Sequence, residues 1–149
     1  MTVYFIGAGP GGLEAARVAA ARGQEVLTVG RGLGDLSLTG SRFDGTGQDL
    51  RFTWHDRPFL TRLNLIGGFQ AENVLLACGL AIASGEDPEA VFETLPHLTT
   101  VRGRMQHAAT RENGASVFVD YAHTPDALEQ SLLAVRRHLS GRLSLVFGC

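Results

Sequence analysis

Asp120, Tyr121 and His123 stand within four positions of one another in the stretch VFVDYAHTPD, residues Val117–Asp126. A strand that delivers an acid, an aromatic ring and an imidazole into the mouth of a strand-to-helix turn is a usual place for an α/β protein to hold a ligand. A second set competes with it. Gly7, Gly9 and Gly12 in GAGPGG carry Gly-x-Gly-x-x-Gly spacing. Glycines so placed permit a tight turn and let backbone N–H groups reach a pyrophosphate at a helix N-terminus.

Each set needs elements to position it. For the glycines, Val3–Ile6 predicts a buried strand, Leu13–Ala21 an alanine-rich helix stopped near Gly23, and Glu25–Val29 a second strand. That is the βαβ context the fingerprint demands, but its ribose-binding acid is missing. Gly30 and Arg31 stand there instead. Arg31 could meet the 2′-phosphate of NADP; otherwise the glycines only make a turn. For the acidic turn, Val117–Asp120 predicts a strand. Thr124 suits an N-cap, with Pro125 at the first helical position and Asp126 beside it. Leu128, Leu132, Val135 and Leu139 then line one helix face, Arg136, Arg137 and His138 suit its C-terminal end, and Leu143–Phe147 predicts an apolar strand.

Between the two sets the period changes. From Asp35 to Leu65 the pattern alternates, and Asp44-Gly45 between two such runs signals a hairpin. Two or three antiparallel strands are expected, with Arg42, Arg51 and Arg62 on a solvated face. Gly67-Gly68 breaks the pattern. Val74, Leu75, Cys78 and Ile82 then recur at helical spacing, predicting a helix over Ala71–Ser84 with Glu72 and Asn73 in its first turn. Asn73 can cap that helix or face a ligand docked on it. Pro88 starts a further helix, and Met105–Thr110 predicts a strand.

The bulk composition sets limits. The 149 residues are 44% apolar and 19% charged, enough to bury a core. A net charge of −2 without a basic stripe argues against nucleic acid. The longest strongly apolar run, Val74–Ala83, is too short to span a bilayer. The N-terminus lacks the basic region of a signal peptide, and Cys78 and Cys149 lack metal or redox spacing. A cytoplasmic location is expected. The fold class is α/β: a Rossmann-like βαβ start over 1–30, a hairpin region with helices over 31–102, and a partial α/β unit over 103–149.

Four pieces resemble the Mur ligases: LIGGFQAEN (Leu65–Asn73), GRMQ (Gly103–Gln106), VFVDYAHTPDALE (Val117–Glu129) and LVFGC (Leu145–Cys149). The third is long and specific. In order they are similar to the end of that family's central domain and the start of its C-terminal domain, over about residues 28–149. The resemblance implies ATP with Mg²⁺ at the junction of those domains. Asn73 would face the adenine end, Arg104 the phosphates and Asp120 the ribose hydroxyls, with Tyr121 and His123 lining the pocket. It also implies a UDP-muramoyl peptide partner: an acyl phosphate forms on UDP-MurNAc-L-Ala-D-Glu, and the third amino acid's amine attacks it in peptidoglycan precursor synthesis. As cap, surface charge and turn-forming groups, the same residues would be structural only.

The departures are specific. The chain contains no lysine, so it carries neither the family's P-loop lysine nor its carbamylated lysine, and it lacks an Asp-Asn-Pro-Arg motif. A fragment inactive by itself is expected. Residues 1–27 resemble instead the start of flavin- or NAD(P)H-linked oxidoreductases, which makes a small FAD- or NAD(P)-binding module the alternative.

Overall fold

A computed structural model describes residues 10–32 and 34–148. The predicted strand Val3–Ile6 and the candidate Gly7 and Gly9 lie outside them. Helix α1 runs Pro10–Ala21. It starts three residues before the predicted Leu13, with Pro10 at the tolerant first position. Gly12 therefore lies inside the helix rather than before it. Gly23, at φ 70°, turns the chain beyond the helix end.

A four-stranded sheet follows, in the order β1-β2-β3-β4: β1 Val29–Arg31, β2 Leu36–Asp44, β3 Gly47–Trp54 and β4 Arg57–Leu63. The predicted strand Glu25–Val29 is displaced to Val29–Arg31, where pairing with β2 begins, Val29 opposite Leu36. That pairing is parallel across a very short connection. Asp35 closes it by accepting from Thr28 N and Thr28 Oγ1 at 2.7 and 2.6 Å. The other three strands form the expected antiparallel meander. Its first turn is the Asp44-Gly45 signal. Its second, His55-Asp56, holds both residues at positive φ, 44° and 65°, the conformation that joins two strands through two residues.

In the first turn Asp44 Oδ1 accepts from Thr46 N and Thr46 Oγ1, both at 2.8 Å, while Arg62 Nη1 lies 2.6 Å from Oδ2. The Arg62 guanidinium, helped by the Thr46 N–H and hydroxyl, holds the Asp44 carboxyl far below the usual carboxylate range. A carboxyl depressed on folding stabilises at pH above its ordinary value of about 4 and loses that contribution as pH falls toward its folded value. The group is half exposed, so its pair with Arg62 is worth no more than about 1 kcal/mol. In thermal unfolding between pH 7 and pH 2, Asp44→Asn should lower stability at neutral pH and flatten the decline below pH 4. Parallel curves for variant and wild type would refute the assignment.

Helix α2, Gly68–Ala83, packs on the sheet, and α3, Pro88–Glu93, follows, capped by Asp87 through Ala90 N. A short 3₁₀ turn, Leu95–His97, places Leu95 in the same core. That core contains Leu36, Leu50, Phe52, Leu63, Leu75 and Phe92, each no more than 6% exposed. Cys78 is buried there, and burial pushes its thiol up to about 11. The last unit is a hairpin of β5, Gln106–Thr110, and β6, Ser116–Val119, with helix α4, Pro125–Arg136. Met105 and Val135 of this unit are buried with Ile66, just before α2, in a second cluster, with Phe118, Leu139 and Leu143 packed against them. The expected strand Leu143–Phe147 is not formed. Among the described residues the segment pairs with no strand, and Val146 is 96% exposed. None of the described helices is long and apolar enough to cross a membrane.

Candidate functional site

The turn between β6 and α4 is built around the Asp120 carboxylate. Oδ2 accepts from Met105 N at 2.9 Å, and Oδ1 from Ala122 N at 2.9 Å and Ser131 Oγ at 3.1 Å. One side chain thus joins the approach to β5, its own turn and the second turn of α4. Met105 needs such a tether, because it sits at φ 47° with its side chain 2% exposed. A non-glycine residue there is strained and persists only where its surroundings hold it.

Exposed groups decorate this frame. His123 Nδ1 lies 3.0 Å from the Tyr121 carbonyl. That oxygen can only accept, so Nδ1 is the donor. The two rings meet edge-on at 5.2 Å. The Arg104 guanidinium lies 5.7 Å from the Tyr121 ring centroid, a cation–π contact worth about 0.5–1 kcal/mol when exposed. Thr124 Oγ1 caps α4 by accepting from Ala127 N. Four predicted residues, Arg104, Asp120, Tyr121 and His123, therefore come together.

Asn73 takes no part in these contacts. It is exposed on α2, and because that helix begins at Gly68 it lies in the second turn. The expected first-turn position, for Asn73 and Glu72 alike, is corrected by the helix starting three residues earlier. Gly67, at φ 108°, makes the entry bend. Glu72 receives Arg31 Nε at 2.6 Å, so the arginine considered for a 2′-phosphate is an ion-pair partner. A cleft of about 420 Å³ behind Met105, lined by Thr46, Asn64, Ile66, His97 and Phe118 among others, includes none of the five candidate residues.

Sequence reasoning missed Ser131 and His138. His138 was read only as a residue suited to the C-terminal end of α4, yet it is 7% exposed. It lies three residues beyond Val135, on the apolar face, and that periodicity was the available signal.

The comparisons with known proteins bear on this assembly. The family described as Mur ligase, glutamate ligase domain, matches residues 103–149. The UDP-N-acetylmuramoyl-L-alanyl-D-glutamate–2,6-diaminopimelate ligase of Bradyrhizobium diazoefficiens is 44% identical over 139 residues, covering 91% of this chain and 28% of its own length. A solved structure of a ligase of that name superposes with TM-score 0.69 at 31% identity, covering 89% of this chain and 28% of the other. A MurF ligase from Thermotoga maritima, in complex with ADP, gives TM-score 0.65 at 25% identity, covering 83% and 29%.

Fold and matched segment together define residues 103–149 as a ligase domain of the Mur type. The chain carries the Mur ligase domain over residues 103–149, and the relatives at 31% and 44% identity bear the name of the diaminopimelate-adding ligase. It spans about 28% of their length. The aligned 91% of the chain exceeds the stretch from residue 28 onward, so part of the region set apart as oxidoreductase-like also aligns with a ligase.

Proposed function

We propose that this chain supplies part of the nucleotide site of an ATP-dependent ligase that adds the third amino acid to UDP-MurNAc-L-Ala-D-Glu in peptidoglycan precursor synthesis. The reading rests on one observation above others: Arg104, Tyr121 and His123 gather around the Asp120 turn inside the segment that matches the family. Arg104 is free to meet phosphate oxygens, where a guanidinium neutralises charge that develops as the γ-phosphoryl group transfers. A carboxylate offers about four acceptor positions. Asp120 uses three on its own chain, which leaves one for a ribose hydroxyl. Asn73, on α2, takes the adenine end. Domains divide near 102, with 31–102 completing a central domain and 103–149 opening a C-terminal one.

Magnesium fits a site whose ligand is a polyphosphate, but the residues here supply one free carboxylate position rather than a cage. Since the chain has no lysine, a P-loop lysine has to come from residues other than these. The expected behaviour is nucleotide binding without turnover, in the cytoplasm where this substrate is made.

The test is an ATP–Mg²⁺ titration followed by thermal shift. Saturation at 100 times the dissociation constant should add about 2.7 kcal/mol of stability. Arg104→Ala should weaken affinity about tenfold, the loss of one charge-assisted contact. Absence of any shift, or a shift indifferent to Arg104, would sink the nucleotide reading. Phosphate release with UDP-MurNAc-dipeptide and diaminopimelate would overturn the expected lack of turnover.

A further inference from the structure

His138 follows the last turn of α4 and is the buried histidine among the described residues. Its Nδ1 lies 2.7 Å from the carbonyl oxygen of Asp44, at the end of β2, and Gly67 N donates to its Nε2 at 2.9 Å. A carbonyl only accepts and a backbone N–H only donates, so the ring is neutral and carries its proton on Nδ1. Phe43 packs edge-on against it at 4.9 Å. Gly67 is held from its other side as well, since its carbonyl accepts from Gln48 Nε2 at 2.9 Å. The neighbouring Arg137 lies over Phe43, and a Cβ placed on Gly68 would stand 3.1 Å from its Nη1.

Two consecutive residues at the end of α4 therefore grip both the head of α2 and the rim of the β2–β3 hairpin. The opposite end of α4 carries the Asp120–His123 turn, and α2 carries Asn73. No other hydrogen bond among the described residues joins α4 or its flanking turns to the segment that opens α2.

We propose that His138 is a positioning residue for the nucleotide site, one that sets the α4 unit in register with α2 without touching the ligand. The inference rests on the reading of Asn73, Arg104, Asp120, Tyr121 and His123 as one ATP site. It adds the device that makes residues on two separate units act together.

The experiment uses the full 149-residue chain as wild type, His138→Gln and His138→Ala, followed by amide hydrogen exchange and by ATP–Mg²⁺ titration. A glutamine amide can donate to Asp44 O and accept from Gly67 N, so it should keep the Gly67 amide protected and affinity within about twofold. Alanine should speed exchange at Gly67 at least about tenfold and weaken ATP about tenfold, while amides of Leu50 and Phe52 keep their protection. If the alanine variant does not fold, His138→Asn, too short to reach both partners, takes its place.

Fast exchange at Gly67 with unchanged ATP affinity would overturn the positioning role and leave His138 a purely structural contact. Unchanged exchange at Gly67 in the alanine variant would overturn the pin itself. A wild type that binds no nucleotide would overturn the functional reading and the positioning role with it, and Gly67 exchange would still decide whether the pin exists.

Discussion

Phe52→Ala should cost about 4 kcal/mol of unfolding free energy, the range found when a buried phenylalanine is truncated and its cavity only partly collapses. Phe52 is 1% exposed at the centre of the sheet. It stacks on Phe59 with ring centroids 5.3 Å apart and meets Phe92 edge-on at 5.0 Å. The substitution removes both aromatic contacts and part of the anchor that holds α3 to the sheet. Urea unfolding followed by tryptophan fluorescence should report it, because Trp54 lies 6.4 Å from Phe92 in the same cluster. A loss below about 1.5 kcal/mol would mean that the site collapses freely and that this cluster is not the organising core.

Asp120→Ala should be nearly as damaging, at about 3 kcal/mol. The carboxylate accepts three hydrogen bonds, and bonds to charged groups contribute about 1.5–3 kcal/mol each before non-additivity is counted. Two of the three donors are backbone N–H groups, at Met105 and Ala122, which the variant leaves without their partner. Asp120→Asn retains one oxygen and should lose roughly half as much. Denaturant unfolding gives the magnitude, and faster amide exchange at Met105 and Ala122 gives the mechanism. A loss of less than about 1 kcal/mol, with both amides still protected, would free Asp120 from a framework role and leave only ligand binding to explain it.

Legibility from sequence followed the range of the interactions. Local chemistry read well. The Asp44-Gly45 turn, the Thr124-Pro125-Asp126 helix start and the apolar spacing of Val74, Leu75 and Cys78 each depend on residues within one turn, and each is found in the structure. Boundaries set at long range did not. Gly67-Gly68 reads as a break, yet α2 starts at Gly68 because His138 and Gln48 fix the N–H and carbonyl of Gly67 from 71 and 19 residues away. Leu143–Phe147 has the composition of a strand, but a strand exists only with a paired neighbour. The third strand was expected, but its turn carried no signal of its own, because His55-Asp56 is not the Asn-Gly or Asp-Gly pair that advertises positive φ.

At the site, Asp120, Tyr121 and His123 were visible as a group because four residues contain them. The attachment of Arg104 to Tyr121, and of Met105 to Asp120, depends on a hairpin that closes fifteen residues of chain.

The pin at His138 also has a bearing on the order of assembly. The sheet grows through two turns of two residues each, whereas the contact from His138 to Asp44 spans 94 residues and the one to Gly67 spans 71. Closing such loops costs chain entropy before any contact rewards it, so non-local pairings lag behind local ones. The meander and α2 can therefore assemble while α4 is still undocked, and its last turn completes the structure. Under mild denaturant the same joint should open first, giving a partly unfolded species with an intact sheet and a free α4 unit.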